Sequence, residues 1–197
     1  MEEIIKKFLL VSYFGPDYSN KDKQIEICIN CAYRDLCRTI HYDCTDDEKD
    51  TFKREVKEYL VKEFSSLLQK ENISEVSFDK KHKEWCEHLV ELGNNLKYKN
   101  SKKFTYGQAQ KWINMSLKNM IVIGAINKSS NLIKLVHIPI DSIIIEKVKT
   151  KLGIDKPNSS WSNWNDYNEY KNYQDEIRNN MLDNSPIEWE FKAWNEQ

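Results

Sequence analysis

The chain has 197 residues and a formal net charge of −1; 40% of its residues are hydrophobic, 31% are charged, and glycine and proline are few. These values exclude a disordered chain, disfavour a β-sandwich, and predict one globular domain that needs neither disulfides nor metal for stability. No apolar run approaches the roughly 18 residues of a membrane span, and the first residues do not resemble a secretory signal, so we expect no membrane partner and a cytoplasmic location.

The predicted elements are helices throughout. Apolar residues at helical spacing predict helices over 2–13, 22–43, 45–69, 77–93 and 107–122, and three more that begin near Pro139, near 160 and at Ser185. An alternative for the β-branched residues near 120–138 is a short β-hairpin. The sequence therefore predicts an all-α fold with about seven to eight helices. They form a single compact domain over 1–197, with N-terminal helices in 1–95 and a catalytic half in 96–197.

A cluster of cysteines raises the question of a metal site. Four cysteines and one histidine lie within 17 residues, at Cys28, Cys31, Cys37, His41 and Cys44. Their number would satisfy zinc, but side chains spread along one continuous helix cannot converge on a single ion. Buried cysteines commonly act as small apolar residues. We therefore expect no metal site and no cofactor.

Arg34 and His41 stand seven residues apart in the same predicted helix, so both should project from one face. The pair resembles the Arg-x4–6-His signature of HEPN ribonucleases of the toxin or phage-defence type. The resemblance implies that Arg34 would position a phosphate while His41 moves a proton at an RNA 2′-hydroxyl. The alternative is that both side chains make ordinary hydrogen bonds with Asp35 or Asp43.

Charge is distributed unevenly along the chain. No acid lies between Glu91 and Asp141, whereas eight lysines do, which indicates one face built for an anion. Lys111 begins an apolar helix in this stretch, where a surface lysine is the ordinary interpretation. Clustered amines, however, favour the neutral and nucleophilic form. Asp141 ends the stretch in the first turn of the next helix, so Lys111 is the best candidate nucleophile in the chain.

Three segments carry a family resemblance: "GQAQKWINMSLKNMIVIG", "VHIPIDSIIIEKV" and "SPIEWEFKAWN". They are similar to the catalytic half of helix-hairpin-helix DNA glycosylases, and most similar to the archaeal 8-oxoguanine glycosylase group. In that family a Gln-Lys pair opens one helix, a Pro-Val-Asp element opens another about thirty residues later, and the closing helix has a proline start and a tryptophan. The matching residues are Gln110-Lys111, Pro139-Ile140-Asp141, and Pro186 with Trp194.

The resemblance implies that a modified base is flipped out of DNA into a pocket and excised. Lys111 would attack C1′ and form a Schiff base, while Asp141 would help to deprotonate the lysine and stabilise the cationic sugar. Trp112 or Trp164 would stack on the base. The residues implied to bind the nucleic acid are Lys97, Lys99, Lys102, Lys103, Gln110, Trp112 and Lys118.

Three functions remain open from the sequence. The first is a DNA glycosylase and lyase that acts through Lys111 and Asp141, with DNA as its partner. The second is the ribonuclease that acts through Arg34 and His41. The third is a helical interaction protein without enzymatic activity.

Overall fold

A computed structural model describes residues 1–70, 72–127, 129–181 and 185–196. Nine α-helices and no extended strand lie within these ranges, which confirms the all-α prediction. The helices are α1 Glu2–Phe14, α2 Gln24–Leu36, α3 Asp46–Leu68, α4 Glu75–Asn94, α5 Tyr106–Val122, α6 Leu132–Leu135, α7 Ser142–Leu152, α8 Tyr167–Asn179 and α9 Pro186–Asn195. Across the same ranges, no helix is both long enough and apolar enough to cross a membrane.

Helix α5 is the central helix of the fold. It packs along α2 and against α4 and α8, and 13 of its 17 residues are buried. A capping box formed by Thr105 and Gln108 fixes its start. Because a helix buried on nearly all sides has no solvated face, its polar residues must find partners inside the protein. Those partners shape the candidate site.

The helix predicted over 22–43 ends early, at Leu36. A 3-10 turn follows, in which Thr39 Oγ1 donates to Leu36 O at 2.8 Å. The chain then becomes extended, and Tyr42 pairs antiparallel with Tyr98, with backbone hydrogen bonds on both sides of the pair. The β-branched residues at 39 and 40 favour extended backbone. Together with the backbone hydrogen bonds beside the Tyr42–Tyr98 pair, this preference outweighs the helical periodicity of the sequence.

The alternative of a hairpin near 120–138 is wrong for the residues of that stretch that the structure describes. Helix α5 continues to Val122, and Gly124 turns the chain with a φ of 80°. Ile126 N then donates to Met120 O at 3.1 Å, and α6 follows. Residues 136–140 are buried without regular secondary structure, and side chains rather than a second strand bind the backbone of Ile138 and Ile140.

A close backbone contact joins the start of α5 to the turn at 161–164. A Cβ on Gly107 would lie 1.7 Å from Trp161 O, so only glycine fits this position. Gly107 N donates to Trp164 O at 3.1 Å, and Thr105 Oγ1 donates to Ser162 O at 2.9 Å. The contact holds Trp161 beside α5, where it forms a wall of the cleft described next.

Candidate active site

The predicted catalytic residues Lys111 and Asp141 are in direct contact. Lys111 Nζ donates to Asp141 Oδ2 at 2.6 Å, and the two side chains are 9% and 17% exposed. This pair is therefore far more shielded from solvent than an ordinary surface salt bridge. Because 30 positions of chain separate the two residues, only the folded protein brings them together.

Helix capping explains where the carboxylate of Asp141 lies. Asp141 is the N-cap of α7, and its Oδ1 accepts from Ile144 N at 2.9 Å. An aspartate at this position satisfies an amide that the first turn of a helix leaves free. The second carboxylate oxygen is then available for Lys111. The helix predicted to begin near Pro139 begins three residues later, at Ser142, so Asp141 is its N-cap and not a residue of its first turn.

A second amine–carboxylate pair lies beside the first. Lys118 follows Lys111 by two helical turns, on the same face of α5. Its Nζ donates to Glu190 Oε1 at 2.5 Å and lies over the rings of Phe191 and Trp194. Burial raises the pKa of the 1% exposed Glu190, and the charge of Lys118 opposes the rise. Glu190 Oε2 is buried and makes no hydrogen bond among the described residues, and the neighbouring Trp194 side chain also lowers the pKa of Glu190.

Both ion pairs line one cleft of about 440 Å³. Trp161 and the partly exposed Trp194 also line it, together with Tyr13 and Met115. A cleft with aromatic walls and a few fixed polar groups is typical of a site for a small molecule or a single nucleobase. Its chemistry combines an amine that can act as a nucleophile with two carboxylates that can accept protons.

A wider groove of about 830 Å³ adjoins the cleft and shares Thr39 and Ser162 with it. Lys102 and Lys103, both predicted to bind nucleic acid, are exposed and line this groove. Two other predicted lysines are exposed on the preceding segment but do not line the groove: Lys97 and Lys99. The groove thus brings part of the predicted basic surface next to the cleft.

Two predicted nucleic-acid contacts are wrong, because Gln110 and Trp112 lie in the core with exposed fractions of 0% and 1%. The Gln110 amide is hydrogen-bonded to the backbone of Ile140, and Trp112 Nε1 donates to Ile29 O at 3.1 Å. Trp164, the other residue predicted to stack on a base, is also fully buried. A side chain without exposed surface cannot contact a base, so all three are structural residues.

The predicted ribonuclease pair does not form. Arg34 lies in the last turn of α2, where its Nη2 donates to Tyr13 O at 2.5 Å and its guanidinium lies over the Tyr13 ring. His41 lies beyond the end of the helix, in the extended segment, and lines the wider groove. The prediction that both residues share one helix face is wrong because α2 ends five residues before His41.

The cleft residues that sequence reasoning missed include Arg38, Trp161 and Glu190. The sequence holds a signal for Glu190, because an acid stands there at an apolar position of α9, three residues from buried Ile187 and from buried Ala193. No comparable signal marks Arg38, which is exposed at the cleft only because α2 ends early.

Within the part of the chain that the structure describes, no group of three or more His, Cys, Asp or Glu side chains is placed to hold a metal ion. Compared with protein-family models, curated proteins and solved structures, the chain gives no significant match. The function must therefore be inferred from the site itself.

Proposed function

We propose that the protein is a DNA glycosylase with lyase activity, in which Lys111 is the nucleophile and Asp141 its proton acceptor. The observation that supports this proposal is the 2.6 Å contact between Lys111 Nζ and Asp141 Oδ2 in a cleft that opens to solvent. A shielded lysine beside a carboxylate is the arrangement that Schiff-base chemistry needs, because the amine must lose a proton before it attacks.

The reaction follows from these two groups. Asp141 accepts a proton from the Lys111 ammonium, and the freed amine attacks C1′ of the flipped nucleotide. The bond between C1′ and the base nitrogen breaks, and its electron pair leaves with the base, which takes the proton from Asp141. Nζ gives a proton to O4′ as the bond between C1′ and O4′ breaks, which opens the sugar ring and leaves an iminium between Lys111 Nζ and C1′. Asp141 then removes a C2′ proton, and the resulting enamine expels the 3′ phosphate and cleaves the strand.

The rest of the cleft suits a heterocyclic base. Trp161 and Trp194 supply aromatic faces for stacking. The Lys118 amine, whose side chain is 15% exposed at the cleft, would donate a hydrogen bond to a carbonyl of the base. We therefore propose as substrate a modified base that presents a C=O.

The basic groove would hold the DNA backbone. Lys102 and Lys103 line it, and Arg38 lies on the adjoining wall of the cleft. Because the net charge of the chain is only −1, we expect few phosphate contacts and an affinity that falls with salt by about one unit of log–log slope for each contact.

Borohydride trapping tests the proposal. Duplexes that contain an abasic site or an oxidised base are incubated with the protein and borohydride, which reduces the iminium to a stable amine. We expect a covalent adduct with the native protein and a loss of at least about 100-fold with Lys111→Gln or Asp141→Asn. The control is Lys134→Gln, an exposed lysine of the same acid-free stretch that lies outside the cleft. No adduct with any of these duplexes would refute the proposal.

The same variants separate the other two functions. A ribonuclease that acts through His41 would lose activity in His41→Ala and keep it in Lys111→Gln. A protein that only binds partners would be insensitive to both changes except through stability. The glycosylase proposal requires the reverse of the ribonuclease pattern.

A further inference from the structure

The segment before Asp141 is held in an unusual way. Residues 136–140 are buried and have no regular secondary structure, and no strand lies beside them among the described residues. Buried backbone groups need hydrogen-bond partners. For Ile138 O and for both backbone groups of Ile140, the partners are side-chain amides: Gln110 and Asn114 of α5 and Gln174 of α8. The helix that carries Lys111 is thus joined directly to the segment that carries Asp141.

Gln110 makes the contact nearest to the catalytic pair. Its Nε2 donates to Ile140 O at 2.9 Å, and its Oε1 accepts from Ile140 N at 3.2 Å. One side chain therefore holds both backbone groups of the residue that precedes Asp141. Gln110 also directly precedes Lys111 in the chain. The contact between Gln110 and Ile140 therefore lies directly next to both catalytic residues, since Asp141 follows Ile140.

Asn114 supports this contact from one turn further along α5. Its Nδ2 lies 3.1 Å from Gln110 Oε1 and 3.2 Å from Ile138 O. Asn114 Oδ1 in turn lies 2.9 Å from His82 Nε2. Because burial lowers the pKa of His82, the ring is neutral, and its Nε2–H must be the donor in this bond. The orientation of both amides is therefore determined by their neighbours.

The far end of the segment is held as well. His137 Nε2 donates to Asp79 Oδ1 at 2.7 Å, and His137 Nδ1 lies 2.8 Å from the Tyr170 hydroxyl. Gln174 Nε2 donates to Ile138 O at 2.5 Å. Side chains of three helices thus hold a segment that has no regular secondary structure. Nothing else in the described residues makes a two-bond contact with Ile140.

We propose that Gln110 is a positioning residue, which sets the carboxylate of Asp141 against Lys111 without touching the substrate. This inference rests on the proposed function, because the reaction that Gln110 would affect is the glycosylase reaction. A displacement of about 1 Å at a catalytic group costs on the order of 100-fold in rate. Loss of the two Ile140 bonds would allow such a displacement of Asp141 while leaving the walls of the cleft in place.

Single-turnover trapping on an abasic duplex tests the inference, with dissociation constants measured on a duplex that carries a tetrahydrofuran abasic analogue. We expect Gln110→Ala to lower the trapping rate by roughly 30- to 100-fold while the dissociation constant changes less than about threefold. The control is Gln108→Ala, a second buried glutamine of α5, which bonds Thr39 O and does not touch Ile140. Equal rate losses in the two variants would refute positioning.

Gln110→Glu adds a second measurement, the pH dependence of the trapping rate, which would not change if Gln110 were only a structural residue. Burial raises the pKa of the introduced carboxyl. Below that pKa the protonated acid can donate to Ile140 O and accept from Ile140 N, as the amide does. We therefore expect the rate relative to the native protein to recover near pH 6 and to fall as the pH rises. A ratio independent of pH, in a variant that stays folded, contradicts the proposal.

A chemical measurement keeps the two proposals separable. Acetic anhydride labels exposed amines, and mass spectrometry reports labelling of Lys111 against exposed Lys102. We expect Gln110→Ala to increase Lys111 labelling several-fold and Gln108→Ala to leave it unchanged. If the native protein forms no adduct with DNA, the glycosylase proposal fails, and this labelling alone decides whether Gln110 positions the pair. Unchanged labelling in Gln110→Ala refutes positioning.

Discussion

Removal of the Lys118 amine should expose the cost of burying Glu190. Lys118→Met keeps most of the aliphatic chain but leaves the Glu190 carboxylate, 1% exposed, without the cation that is hydrogen-bonded to it. Removing one partner of a buried ion pair typically costs about 3–5 kcal/mol, because an uncompensated charge remains. Glu190 can avoid part of that cost by taking up a proton. The destabilisation should therefore depend on pH.

The sign of this dependence follows from the raised pKa of Glu190. A carboxyl whose pKa is higher in the folded than in the unfolded chain binds more protons in the folded state, so stability falls as pH rises. In Lys118→Met the folded-state pKa rises further, since the opposing charge is gone. The loss should be smallest near pH 5, where protonation of Glu190 relieves the cost. It should grow with pH by at most about 1.4 kcal/mol per pH unit, towards the full cost of the buried charge.

Urea denaturation followed by circular dichroism at several pH values measures this loss. The control is the double variant Lys118→Met with Glu190→Gln, in which the buried group is neutral and the slope with pH should disappear. A loss in Lys118→Met that is the same near pH 5 and pH 8, or smaller than about 1 kcal/mol near pH 8, would refute the reasoning. It would mean that solvent or backbone movement accommodates the Glu190 charge.

Two further predictions concern contacts that support the cleft. Gly107→Ala should lower the free energy of unfolding by about 3 kcal/mol or more in urea denaturation, because its Cβ would meet Trp161 O at 1.7 Å; a loss below about 1 kcal/mol would mean that the turn moves freely. Burial pushes the pKa of Asp79 up, but His137, Lys171 and Arg178 outweigh burial and hold it well below its usual range. Asp79→Asn should therefore cost about 2 kcal/mol near pH 7. Because the stability that Asp79 contributes is lost as pH falls below about 4, the difference from the native protein should shrink there in the same assay.

The contact between Lys111 and Asp141 was predictable from sequence because two local rules agree. The acid-free stretch leaves Lys111 without a nearby carboxylate, and the first acid after it stands where a helix start requires a capping side chain. A capping contact depends only on neighbours within a few residues, so it can be predicted without knowledge of the tertiary structure. The all-α class was predictable for the same reason, since helical periodicity and capping boxes are local.

The wrong predictions share a different cause. The sequence places Trp112 on a helix with one solvated face, but α5 is buried on nearly all sides, and only packing decides which aromatic residue remains accessible. His41 was assigned to a helix that the pairing of Tyr42 with Tyr98 interrupts. Contacts between residues distant in the chain override helical propensity in both places. No periodicity in a single segment records such contacts.

The energetics of the two ion pairs bear on why the cleft exists. A buried amine–carboxylate pair adds little stability compared with apolar residues of the same size, because removing both charges from water offsets their attraction. Helix α5 nevertheless carries two such pairs, two turns apart on one face, and both open into the same cleft. The Asp141 side chain is 17% exposed and that of Glu190 only 1%, so only the carboxylate of the first pair can reach a ligand in the cleft. The Lys118 amine, whose side chain is 15% exposed, is the group of the second pair that a ligand can contact. The arrangement is therefore consistent with one pair that performs chemistry and a second that contributes a hydrogen-bond donor for binding.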